Sequence, residues 1–145
     1  MTEIGYEGDY YAWLTEQAAL LRARCGEALD YDNLAEELED MGRSERRAVE
    51  SYLTIALLHL LKWHVQPALR SKSWRRSVQY ARRAIAKRLA ESPSLRPRLP
   101  ELMASAYLEA RFRAALETDR PETGLPETCP WGLAHVLDLD FFPEP

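Results

Sequence analysis

The sequence predicts an all-α protein: a helical bundle of four to five main helices with a proline-rich C-terminal segment packed across it. Three observations predict it. Apolar residues recur at helical spacing along almost the whole chain, and no run alternates with the period of two that a half-buried strand requires. Capping residues and prolines interrupt that spacing about once per helix length. Prolines then crowd the tail, at Pro121, Pro126, Pro130, Pro143 and Pro145, where a long helix cannot form.

Asp9 is the expected cap of a first helix, whose Tyr10, Trp13, Leu14, Ala18 and Leu21 share a face, with Gly26 at its C-terminal end. Asp30 caps a short second helix that runs through Leu34, Leu38 and Met41 to Gly42. Leu29 and Leu34 take the two positions of a hydrophobic staple there. Ser44 opens a third and most apolar helix, with Val49, Tyr52, Leu53, Ala56, Leu57, Leu60 and Trp63. It stops at Gln66, because Pro67 lacks an N–H and disfavours helical geometry in the residue before it.

Ser71 or Ser73 caps a fourth helix with the stripe Trp74, Val78, Ala81, Ile85 and Leu89. Arg75, Arg76, Arg82, Arg83 and Lys87 are read as lying outside that stripe. The stretch SPSLRPRLP, Ser92 to Pro100, breaks the chain before a fifth helix, whose seam is Leu99, Leu102, Met103, Ala106, Tyr107 and Ala110, extended by Ala114 or Leu116. The tail holds one short helical candidate, Pro130 to Leu137. A single domain over 1–145 is expected, with a bundle over 9–120 and the proline-rich tail over 121–145.

The 145 residues are 46% hydrophobic and 29% charged, which is globular rather than disordered usage. No run approaches the ~18 apolar residues that read as a membrane span. The N-terminus, MTEIGYEGDYY, is acidic where a signal peptide is basic and then apolar, so a cytoplasmic location is expected. Cys25 and Cys129 lack metal-type spacing and are too few for a disulfide framework.

The net charge of −4 conceals three blocks. Residues 1–42 carry eleven acids and two bases, residues 43–100 three acids and fourteen bases, and residues 101–145 nine acids and three bases. The basic block makes Arg70, Arg75, Arg76, Arg82, Arg83 and Lys87 the candidate binding residues. The two acidic blocks flanking it could fold against it; where the face is free, a protein partner is its expected use, and a homo-oligomer is expected through the tail with Trp131, Phe141 and Phe142. Nucleic acid is the alternative, weakened by the acidity of the whole chain and by Trp74 falling on the apolar stripe rather than beside a base. Arg70, in the short loop after Pro67, is read first as a clamp on the carbonyls that end the third helix.

Chemistry finds less support. Helix bundles hold di-metal centres with Glu-x-x-His pairs, and the residues three before His59, His64 and His135 are Ala56, Leu61 and Gly132. His59 and His64, five apart, diverge by roughly 140° around a helix axis. No metal or other cofactor is therefore expected. Glu36, Glu39, His59 and Glu117 are the residues that a metal-dependent bundle enzyme would have to use. No Gly-x-Ser-x-Gly elbow and no phosphate-cradling glycine loop occurs, so no catalytic residue is assigned and the reading leans away from an enzyme.

Several phrases together resemble the bacterial family catalogued as domain of unknown function 29. They are DYYAWLTEQAALLR (9–22), LDYDNLAEELEDMGRSERR (29–47), HLLKW (59–63), QPALRSKSWRRSV (66–78), SPSLRP (92–97), AYLEARFRAALET (106–118) and LPETCPW (125–131). The resemblance implies a small all-helical protein and brings no activity or catalytic residue with it. It also implies glutamine at the position of His64, against a His59/His64 pair.

Overall fold

A computed structural model describes residues 5–144. The first residues of the acidic N-terminal stretch, 1–4, and the last residue of the expected span, 145, lie outside the described residues. Five α-helices follow in order: α1 (Tyr10–Arg22), α2 (Tyr31–Val65), α3 (Lys72–Glu91), α4 (Leu99–Glu117) and α5 (Leu133–Leu137), with short 3-10 turns between them. There is no strand among the described residues, and no helix there is long and apolar enough to cross a membrane. The chain divides into two compact units, 1–43 and 44–145.

The expected break at Gly42 does not occur. α2 runs unbroken from Tyr31 to Val65, no described glycine has a positive φ, and Ser44 lies inside the helix rather than capping one. A helix-interior glycine costs only about 1 kcal/mol relative to alanine, too little to stop a helix whose neighbouring turns are all favourable.

In the first unit, Asp9 caps α1 by accepting from the Ala12 N–H at 3.0 Å. The helix ends at Arg22 through Arg24, which takes the left-handed φ of 58° that the sequence suggested for Gly26. Gly26 has another use: a Cβ there would lie 3.1 Å from the Tyr31 hydroxyl. Trp13 is the one buried hydrophobic side chain among the described residues of this unit. Tyr6 meets its ring edge-on at 4.9 Å and Tyr10 stacks on it at 6.2 Å. Of the expected stripe, Tyr10, Leu14 and Leu21 stay exposed, and Gln17 rather than Ala18 is buried beside Trp13.

Polar bonds close this unit. The Trp13 indole donates to Asp30 Oδ2 at 3.0 Å, Asn33 donates to the same oxygen at 2.9 Å, and the Asp30 N–H donates to Gln17 Oε1 at 2.8 Å. Those donors, Asn33 first and then Trp13, hold the Asp30 carboxyl below its usual range. Tyr6 and Tyr10 both donate to the Glu37 carboxylate, which pushes both phenols up.

The second unit has the larger core. Val49, Leu53, Ala56, Leu57, Leu60 and Leu61 of α2 are fully buried, as are Val78 and Ala81 of α3 and Ala106, Ala110 and Ala114 of α4. The alanines let α4 approach closely, and Leu116, the alternative end of that seam, is exposed. Ser71 caps α3, its Oγ accepting from the Trp74 N–H at 3.2 Å. Pro100 sits in the first turn of α4, where its missing N–H is harmless.

The tail adds Leu125, Trp131 and Val136 to the same core. Its irregular backbone has no ladder partners, so its carbonyls need donors from elsewhere. Tyr107 donates to Pro126 O at 2.6 Å and Arg111 to Glu122 O at 2.7 Å. Burial pushes the Tyr107 phenol up to about 12, so it keeps the proton that this bond requires.

Candidate functional site

α3 carries most of the residues that charge patterning singled out, and its two faces do different work. Buried along one face are Val78, Ala81, Arg82, Ile85 and Leu89. Arg82 corrects the expectation that the arginines of this helix turn to water, since it is 1% exposed. It stands four residues after Val78 and three before Ile85, on the seam itself. Its charge is accommodated because Nε donates to Val136 O at 2.7 Å and Nη2 to His135 O at 3.2 Å, capping the last carbonyls of α5. Burial draws its pKa down to about 10, with Asp138 and Asp140 opposing the shift, so it stays cationic at neutral pH.

The stretch around Pro67 forms an aromatic corner in which cations already have partners. Arg70 Nε donates to Trp63 O at 2.9 Å, so it clamps the end of α2, and Nη2 reaches Pro143 O at 3.5 Å. Trp63 packs on Phe142 with centroids 4.8 Å apart. Arg75 lies over both rings, 5.2 Å from Trp63 and 4.3 Å from Phe142. Trp74, expected inside, is half-buried, with Lys62 Nζ 4.9 Å over its ring. Each such contact contributes about 0.5–1 kcal/mol, enough to hold the corner while engaging these charges.

Of the remaining cations of α3, Lys72, Arg76, Arg83 and Lys87 are exposed, and none of these four has an ion pair among the described residues. Arg83 and Lys87 line a groove of about 640 Å³ between α2 and α3. Tyr52 and Tyr80 meet there edge-to-face at 6.2 Å. Arg88, beside them, is occupied by Glu45 at 2.8 Å, a bond that raises its pKa. Glu45 and Glu91 also line the groove. Sequence reasoning missed Tyr80; Tyr52, expected on the apolar face of its helix, is half-buried and packs against the core while also lining this groove. The available signal was Tyr80, Arg83, Ala84, Lys87 and Glu91 falling on one helical face at steps of three and four.

The metal candidates are distributed otherwise. Glu36 and Glu39 are exposed in the first unit, and His59 and Glu117 belong to the second. Among the described residues no group of three or more His, Cys, Asp or Glu side chains could hold a metal ion. Lys62 lies 3.8 Å from Glu117, and it joins Arg113 in disfavouring a further positive charge on His59.

The His59 Nδ1 lies 2.9 Å from Ile55 O and donates to it, since a carbonyl only accepts. Burial, followed by Lys62, holds the His59 pKa below its ordinary 6.5. Folding therefore disfavours the imidazolium. The resulting stability is complete above pH 6.5 and is lost as pH falls through the lower folded-state value. His59→Gln is expected to flatten the pH dependence of unfolding in that window, measured by denaturant titration at a series of pH values.

Cys129 lines an apolar cleft of about 540 Å³ between α4 and the tail, but burial pushes its thiol up, away from the reactive thiolate.

A family model described as "Domain of unknown function DUF29" matches residues 5–142. No curated protein and no solved structure matches the chain.

Proposed function

The chain belongs to the family described as domain of unknown function DUF29, and we propose that it is a binding module that takes an acidic segment of a partner protein along α3. The observation that carries this reading is the groove between α2 and α3, where Arg83 and Lys87 are exposed and unpaired among the described residues beside two tyrosines. Aromatic rings with cations at their rim suit a peptide that presents carboxylates and apolar side chains together. Glu45, paired with Arg88, and Glu91 interrupt the cationic surface, which suits the spaced carboxylates of a peptide better than a charge on every unit of a phosphate backbone. Arg76, on the same helix, extends the cationic surface. The free thiols of Cys25 and Cys129 support a reducing, cytoplasmic setting.

The test is fluorescence anisotropy with a labelled acidic amphipathic peptide and a labelled single-stranded oligonucleotide of equal charge. The peptide is expected to bind, and Arg83→Glu with Lys87→Glu to weaken it at least about tenfold, as two exposed pairs turn repulsive. Tighter oligonucleotide binding with a steep salt dependence, or peptide binding that ignores the reversal, contradicts the proposal.

A further inference from the structure

The buried face of α3 carries a feature that neither the fold nor the groove uses. Arg82 spends Nε and Nη2 on the carbonyls of Val136 and His135, yet its Nη1 is buried with no hydrogen-bond partner. An unpaired donor on a buried cation is costly. Beside it lies a cavity of about 170 Å³, lined by Arg82, Ile85, Ala86, Leu89, Arg96 and Leu137.

Two arginines therefore line one small space whose other walls are aliphatic. Among the described residues neither arginine has a carboxylate within ion-pair distance. Asp138 and Asp140 act on Arg82 only at longer range, and the Asp138 carboxylate accepts from the Asp140 N–H at 2.9 Å.

We propose that this cavity, between α3, the Pro93–Arg98 turn and the end of α5, binds a short aliphatic carboxylate, with its carboxylate between Arg82 and Arg96 and its alkyl chain against Ile85, Leu89 and Leu137. The chemistry follows from the walls. Guanidinium N–H groups are matched to carboxylate oxygens, and an anion there would bring a counter-charge to two arginines that have none at ion-pair distance among the described residues. Water alone would bring no counter-charge to Arg96 and would leave the aliphatic walls wet. A doubly charged oxyanion fits less well, since it would meet more apolar wall and more repulsion from Asp138 and Asp140. The space of about 170 Å³ equals the share of roughly six water molecules, which suits a chain of a few carbons.

The experiment is calorimetry on the exhaustively dialysed full chain with acetate, butyrate, isovalerate, inorganic phosphate and neutral butanol at constant ionic strength. Butyrate and isovalerate are expected to bind saturably at one site, about fourfold more tightly for each methylene beyond acetate. Butanol should not bind. Arg82 variants are poor probes because they also release the tail. Arg96→Gln, at an exposed position, should keep the fold and weaken butyrate about tenfold. Arg83→Glu with Lys87→Glu should leave butyrate affinity unchanged, which separates this site from the α3 groove. No saturable carboxylate binding, phosphate binding as tight as butyrate, or wild-type affinity in Arg96→Gln overturns the proposal.

Discussion

Replacing Arg82 by alanine is expected to destabilise the protein by about 3 kcal/mol, the largest effect of any change to a charged residue here. The truncation leaves the Val136 carbonyl without its donor, leaves His135 O with only the Asp138 N–H at 3.3 Å, and opens a void beside Ile85 and Leu89. Part of that loss is offset, because a desolvated cation is removed with the side chain. For a chain of this size the unfolding midpoint should fall by about 10 °C. Arg82→Lys keeps the charge but not the planar fork that serves two carbonyls, so an intermediate loss of about 1–2 kcal/mol is expected. Limited proteolysis should show early cleavage within 121–143 in the alanine variant. A stability within about 0.5 kcal/mol of wild type would show that the tail is not held through this residue.

Trp13→Ala is expected to unfold the first unit, at a cost of about 3–5 kcal/mol. No other apolar side chain described there is buried, and Tyr6, Tyr10, Asp30 and, through Asp30, Gln17 and Asn33 are arranged around that indole. Trp13→Phe separates packing from hydrogen bonding. It retains most ring contact with the tyrosines and loses the donor to Asp30, which still holds Asn33, so about 1 kcal/mol should be lost. Amide exchange reads both variants directly. The amides of α1 should lose protection in the alanine variant and keep most of it in the phenylalanine variant. Protected α1 amides in Trp13→Ala would mean that another contact holds this unit.

Features set by neighbours in sequence were legible before the structure. Asp9 and Ser71 cap the helices they were expected to cap, because each needs only an N–H three residues on. Arg70 clamps the end of α2 for the same reason, its acceptor lying seven residues away. Gly42 misled, since a lone glycine signals a break only where the flanking turns are weak, and α2 is continuous on both sides. Arg82 misled through its charge. Its seam position was readable, but the acceptors that make burial tolerable lie 53 and 54 residues further along. The groove was half legible: Arg83 and Lys87 stand out by composition, whereas the pairing of Tyr52 with Tyr80 depends on α2 packing against α3, which no local pattern encodes.

The division of α3 into a buried anchoring face and an exposed recognition face is tested most directly by backbone amide chemical shifts of the full chain as the acidic peptide is added. Saturable shifts should gather on the outer face from Tyr80 to Glu91 and on the facing turns from Glu45 to Tyr52, and leave the corner at Trp63, Arg75 and Phe142 unmoved. Shifts centred on that corner, or none at any peptide concentration, would contradict the account.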